Sequence, residues 1–322
     1  MKDMVIGCIT GYNFEKIKPW VNSLDRSGFT GTKAMICYNI DYETVDELVK
    51  RDYSILAFGK DEKAQTFKYP KEEFSIVVER FLHLWYLLKR MKGQYNRIIT
   101  TDVKDVIFQT NPSDWLDENL GDKEINVACE SILYKDEAWG TNNLMKSFGA
   151  LVHEECVNRP IYNAGTISGK FDTMVDLFLN IYMLSNSTTH NIEGGGGPDQ
   201  AALNVLLQMK TYQDVTNFAN SEDGWAAQLG TTGPQISKEY GDKLLEQSPI
   251  MKDGMVCTSE GKPFALVHQY DRVPEWKEII EKKYEDDIEE LHRLSELPSG
   301  VSEKENEDDK LSEKNNEQAD EA

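Results

Sequence analysis

Two aspartates three residues apart, Asp102 and Asp105, follow the run Ile98-Ile99-Thr100-Thr101. Such a run predicts a buried strand, and alternating α/β sheets bind ligands beyond the carboxyl ends of their strands. Carboxylates held close together repel unless a cation or proton lies between them, so a divalent ion with oxygen ligands is a natural occupant. The competing reading has one acid capping the next turn and the other facing water. His268 closes a second apolar run, Phe264-Ala265-Leu266-Val267. A lone histidine is usually structural, but one at a strand end offers a nitrogen that completes a site for Mn²⁺ or Mg²⁺. Arg80 lies beside the apolar face of residues 74–91. It is either a cation that holds a phosphate or one of the acids, or an ordinary surface arginine. Tyr12, in the polar loop Gly11-Tyr12-Asn13, offers a ring that suits a nucleobase, although Gly and Asn also build plain strand-to-helix turns.

These groups need a sheet that gathers its strand ends on one side. Residues 4–10, 33–38, 53–58 and 125–130 read as short apolar strands, and residues 14–24, 45–49, 74–91 and 174–184 as amphipathic helices. Strand, helix, strand in succession implies a parallel sheet. The helix over 74–91 carries Val77, Val78, Phe81, Trp85 and Leu88 on one broad face and leads straight to the acidic strand end. Residues 113–116 read as a helical turn, whereas Asp136, Glu137 and Trp139 show no periodicity and read as a loop. Residues 161–169 read as one strand-like piece whose small central residues, Ala164 and Gly165 beside Asn163, either seat a sugar or let a helix pack close.

Ordering the run Gly194-Gly195-Gly196-Gly197 costs roughly 0.5–1 kcal/mol per glycine relative to alanine, so it is either mobile or ordered by a ligand. No Gly-Lys-Ser/Thr follows it, which excludes a Walker phosphate loop. Asp199 either caps a helix over 200–208, its structural reading, or serves a functional role. Residues 275–294 read as a charged helix.

The chain has 322 residues and a formal net charge of -21, which argues against a nucleic-acid or anionic-membrane partner. Its 39% hydrophobic content is ordinary for a folded enzyme. Cys8, Cys37, Cys129, Cys156 and Cys257 are scattered without CxxC spacing and read as reduced core thiols. No apolar run approaches the roughly 20 residues of a transmembrane segment, and a cytoplasmic protein is expected. One α/β domain is expected over 1–298. Residues 299–322 hold nine acids against three lysines and predict a disordered acidic tail.

The order of these motifs resembles the GT-A glycosyltransferases over residues 4–276. The segment Thr101-Asp102-Val103-Lys104-Asp105-Val106-Ile107-Phe108 resembles the family's DxD motif, with two residues between the acids where the family has one. Tyr162-Asn163-Ala164-Gly165-Thr166 resembles the Asn-x-Gly strand of glycogenin-like transferases, Pro198-Asp199-Gln200-Ala201-Ala202-Leu203-Asn204 resembles their Asp-Gln helix start, and Val267-His268 resembles their C-terminal metal-binding histidine. The resemblance implies a single Rossmann-like GT-A domain with a mainly parallel central sheet flanked by helices.

It also implies transfer of a sugar from a nucleoside diphosphate donor, with UDP expected, to a glycan, lipid-linked or protein acceptor. Asp102, Asp105 and His268 are the implied metal ligands. Thr10, Gly11, Tyr12, Arg80, Asp102, Asn163, Ala164, Gly165 and Gln200 are the implied donor-binding residues. Arg272 stands in for the lysine the family places after the histidine, and Asp199 is the implied catalytic residue. If Asp199 deprotonates the acceptor hydroxyl the reaction inverts; if it serves the donor sugar, retention is open. The alternatives are a non-catalytic nucleotide-sugar-binding scaffold on the same fold and a sugar nucleotidyltransferase, which lacks support because no glycine-rich loop with a basic residue follows the first strand.

Overall fold

In the computed structural model, which describes residues 1–188 and 196–286, strand β1 (Lys2–Ile9) is buried along almost its whole length. A strand covered on both faces belongs at the centre of a parallel sheet. It pairs in parallel with β2 (Thr32–Cys37), which pairs in parallel with β3 (Ser54–Ala57), and β4 (Tyr95–Thr101) lies parallel on its other side. Next in the chain, β5 (Val106–Phe108) leaves this sheet for a smaller one. Beyond β4 the main sheet changes sense. Strands β6 (Ile125–Leu133), β7 (Pro160–Tyr162) and β8 (Thr166–Lys170) are joined antiparallel, with β8 inserted between β4 and β6. Strand β9 (Thr216–Ala219) returns parallel to β6. The smaller sheet sets β10 (Ala226–Gln228) parallel to β11 (Leu266–His268), and β11 antiparallel to β5.

Helices cover both faces, and the period of two along the strands divides the apolar residues between them. Met4, Ile6 and Ile98 face Phe81 and Leu84 of the helix Ile76–Leu88 and Phe178 of the helix Phe171–Asn186. Val5, Ile9 and Ile99 face Trp20 and Val21 of the helix Phe14–Arg26, together with Phe108. Asn13 caps that first helix by accepting from Lys16 N at 3.2 Å.

Three expectations about elements change. Residues 161–169 form two strands with a turn over 163–165, because Asn163 Oδ1 accepts from Gly165 N at 2.6 Å and bends the chain. The stretch read as a loop opens the helix Ala138–Cys156, interrupted at Gly149 with φ 80°. Glu137 starts it by accepting from Trp139 N at 2.9 Å, a cap that supplies what Gly140, Thr141 and Asn142 lack in helix propensity. The charged C-terminal helix spans Pro274–Lys283 and ends in a turn at Tyr284; residues 287–294 of its expected range lie outside the described residues, as do Gly194, Gly195 and the acidic tail. All five cysteines are free. Among the described residues no helix is long and apolar enough to cross a membrane.

Trp20 ties the first helix to the end of β4. Its indole N–H donates to Thr101 Oγ1 at 2.8 Å, and its ring meets Phe108 edge-on at 5.5 Å. Trp20→Phe should lower stability by about 1–3 kcal/mol, from the orphaned Thr101 hydroxyl and the smaller ring. The check is a fall in urea midpoint at unchanged m-value.

Candidate functional site

Backbone pairing brings the two acids and the histidine together. Asp102 N donates to Gly165 O at 2.8 Å, so the first acid is pinned where β4 ends against β8. In the smaller sheet His268 lies opposite Val106, and Gln269 N donates to Asp105 O at 2.7 Å, which ties the second acid to the histidine's strand. His268 Nε2 then stands 3.6 Å from Asp102 Oδ2 and 4.0 Å from Asp105 Oδ1, and one donor atom from each residue lies within 4.8 Å of the others.

The histidine's other nitrogen is fixed from behind. Gln228, directly across the β10–β11 pairing, is buried, and its amide oxygen accepts from His268 Nδ1 at 2.7 Å while its Nε2 donates to Thr166 Oγ1 at 3.1 Å. A proton held at Nδ1 leaves the Nε2 lone pair facing the carboxylates, the tautomer a metal-ligating imidazole needs. Donors each about 2.1 Å from one ion lie roughly 3–4 Å apart, so two carboxylates and a neutral imidazole at these separations fit a hard or borderline divalent cation.

Arg80 lies on the same side. Far from being a surface cation, it is only 8% exposed. Its guanidinium is ion-paired with Asp102, and its Nη2 reaches Asp199 Oδ2 at 2.9 Å and Ala164 O at 3.4 Å. Asp199 therefore does not cap its helix. It is the first residue of the helix Asp199–Leu206, Pro198 holds the cap position without a side-chain bond, and the carboxylate is spent on Arg80.

Burial raises the Asp102 pKa, but Arg80 and His268 outweigh it and hold this carboxyl below the ordinary range. Asp105 has no such cation, and burial, aided by Asp102 and Asp271, pushes it up despite His268. Asp199 is raised by burial against the pull of Arg80. For His268 burial disfavours the imidazolium, yet Asp102, Asp105 and Glu130 outweigh burial and raise its pKa.

These residues line one cavity of about 430 Å³, with Asn163, Ala164, Gly165 and Gln200 on its wall and Arg272 among the lining residues. Gly165 is required by close approach. A Cβ there would sit 2.7 Å from Asp102 Oδ2 and 2.9 Å from His268 Cε1. The last two residues of the glycine run play the same part. A Cβ on Gly196 would meet the Trp139 ring at 2.9 Å and one on Gly197 would meet Val77 Cγ2 at 2.3 Å, so the chain threads between these side chains to deliver Asp199.

Gly11 and Tyr12 line a separate cleft of about 660 Å³ with Asn39, Asp41 and Lys68, and Thr10 lines neither space. The Tyr12 hydroxyl is still within electrostatic reach of the acids. Its pKa is raised first by burial and further by Asp105 and Asp102, against Lys104.

Sequence reasoning passed over Gln228, Glu130, Trp139 and Lys104. Gln228 had one faint signal, an amide in the otherwise apolar run Trp225-Ala226-Ala227-Gln228-Leu229.

No protein-family model matches the chain, and a search of curated proteins finds no match. Among solved structures, the chain is similar to the bifunctional glycosyltransferase WbbM, with TM-score 0.52, 12% identity, and coverage of 91% of this chain and 51% of that one. It is also similar to the glycosyltransferase GlyE of Streptococcus pneumoniae TIGR4, with TM-score 0.52, 15% identity, and coverage of 94% and 66%. At this identity the likeness establishes the fold, an α/β fold shared with glycosyltransferases. It is the GT-A fold expected from the sequence resemblance. The chain spans about half of WbbM and 66% of GlyE.

Two outcomes follow. Gln228→Leu should weaken Mn²⁺ binding about 10–100-fold, because the imidazole loses the partner that fixes its tautomer, whereas Gln228→Glu, which keeps an acceptor at Nδ1, should retain it. Titration calorimetry measures both. A proton and a cation also compete for His268 Nε2, so Mn²⁺ affinity should fall as pH drops through the raised imidazole pKa and hold steady above it.

Proposed function

We propose that the chain is a divalent-metal-dependent glycosyltransferase that moves a sugar from a nucleoside diphosphate donor, UDP-linked in the first instance, to an acceptor hydroxyl. The observation that carries this reading is a charge deficit in a cavity-lining cluster on this fold, in which Arg80, Asp199 and His268 are buried and Asp102 and Asp105 half-buried. Arg80 contributes one positive charge against the three negative charges of Asp102, Asp105 and Asp199, leaving a deficit of two. Carboxylates drawn this far out of water and this close together repel unless a proton or a cation lies between them, and a divalent ion supplies the missing charge.

Asp102, Asp105 and His268 would hold that ion, with Mn²⁺ the expected metal. Once bound, it supplies Lewis-acid neutralisation of the departing diphosphate. The protein's own groups do the rest. Arg80 fixes Asp102 and Asp199 in one orientation, so neither carboxylate has to reorganise during reaction. Tyr12 offers its ring to the nucleobase in the neighbouring cleft. Lys104, held 3.2 Å from Asp271, and Arg272 add positive charge near the acids for the diphosphate. Asp199, delivered by the glycine pair, is the carboxylate on the sugar side.

Calorimetry with UDP, with and without Mn²⁺, tests the reading directly. Mn²⁺ should tighten UDP binding at least tenfold in the native protein, and Asp105→Ala or His268→Ala should abolish that gain while leaving the metal-independent affinity in place. A parallel screen of nucleotide sugars should find one that is hydrolysed only with the metal. UDP affinity indifferent to Mn²⁺, together with no donor turned over, would reject the proposal.

A further inference from the structure

We propose that the cavity wall beyond Asn163 is a binding site for an uncharged hexopyranoside, the sugar that receives the transferred group; in naming an acceptor this rests on the glycosyl-transfer reading. Stepping away from Asp102, the wall runs through Gly165 and Asn163 to Glu130, whose Oε1 accepts from Asn163 Nδ2 at 2.7 Å. Glu137 and the half-buried Trp139 follow, with Ile236 and Val77 also lining the cavity. Neither glutamate belongs to the candidate metal group.

The chemistry of this wall matches a pyranose. One side of such a ring is a face of C–H bonds, which packs on an indole, and its edge is a belt of hydroxyl donors, which carboxylates accept. Trp139 provides the indole. Glu130 and Glu137 provide fixed acceptors, because their orientations are set from behind: Glu130 by Asn163, Glu137 by the backbone N–H of Trp139 and by the Tyr240 hydroxyl at 3.4 Å.

The strand geometry also aims Glu130. The next residue, Ser131, adopts φ 55°, a left-handed conformation that strains a non-glycine residue and turns the strand just past this carboxylate. Net charge then selects among sugars. Burial raises the Glu130 pKa despite Asn163, and Glu137 raises it further, so an anionic acceptor would place a third negative charge beside two that already repel. Like charges brought together across an interface repel and exclude the wrong partner. The amide and hydroxyl donors that already engage these carboxylates offset part of the excess charge that would otherwise favour a cationic sugar.

The test uses the full chain and needs no turnover. The Trp139 indole N–H signal in a ¹H–¹⁵N spectrum, assigned through Trp139→Phe, is followed during titration with neutral methyl hexopyranosides, the matching hexuronates and the matching 2-amino sugars, with and without UDP and Mn²⁺. At least one neutral glycoside should shift the signal saturably, with a Kd at least tenfold lower than its uronate. Glu130→Gln, which keeps the bond to Asn163 and removes the charge, should narrow that gap. The proposal is overturned if no neutral glycoside moves the signal under either condition, or if a uronate or amino sugar binds as tightly as the neutral one. Because the readout is binding alone, loss of the acceptor site and loss of the donor reaction are separately visible.

Discussion

The structure turns on one buried guanidinium. Arg80 sits between Asp102 and Asp199, so a helix, a strand end and a second helix start must all converge on it. A buried arginine left without a carboxylate would cost several kcal/mol, and so would the buried Asp199 left without the arginine, whereas half-buried Asp102 keeps His268 and solvent beside it. Arg80 and Asp199 therefore depend on each other, and Asp102 joins the pair from the strand end. That requirement fits the course of the helix Ile76–Leu88, which leads into the acidic strand with Arg80 on its buried side.

Bringing three elements and a histidine strand to one point leaves little room for side chains near the carboxylates. The solution in this chain is to approach with backbone. Gly165 passes between Asp102 and His268, and Gly196 and Gly197 pass over Trp139 and Val77, each where a Cβ would collide. At its described end, Gly196 and Gly197, the glycine run serves clearance. The left-handed residues Ser131 and Gln269 follow directly after Glu130 and His268, which places the sharpest backbone bends next to side chains that face the cavity.

What could be read from the sequence divides along the same line. The strand ending at Asp102, the helix carrying Arg80 and the strand ending at His268 have apolar patterns dictated by local burial, and a period of two or 3.6 survives in the sequence. Arg80 could be placed beside the apolar face but not declared buried, because its partners are 22 and 119 residues away. Gln228 was invisible for the same reason: its role depends on facing His268 across a parallel pairing 40 residues long in sequence. The helix Ala138–Cys156 was missed because its start contains weak helix formers and is held by a glutamate cap, which leaves no periodic trace. For Asp199 one of two readings falls away. Its position before a helix suggested a cap, and a tertiary ion pair claimed the carboxylate instead.

The histidine side of the site depends on chain far beyond it. β5 and β11 belong to a three-stranded sheet too small to hold its own register, since two or three short strands are marginal without a packed face. That face is covered by the helix Pro274–Lys283, whose Trp276 and Ile280 share a core with Ile107 and Val267. Tyr284 closes the arrangement: its hydroxyl donates to Phe108 O at 3.2 Å, and its own carbonyl accepts from Asn22 Nδ2 at 2.8 Å on the first helix. The first helix in turn holds Thr101 through Trp20, one residue before Asp102. The candidate ligands thus sit on two arms of one closed circuit, from Asp102 back through the first helix to Tyr284 and forward again to His268. Spacing between the acids and the imidazole is consequently a property of the whole circuit, and a change anywhere along it acts on the site by altering that spacing.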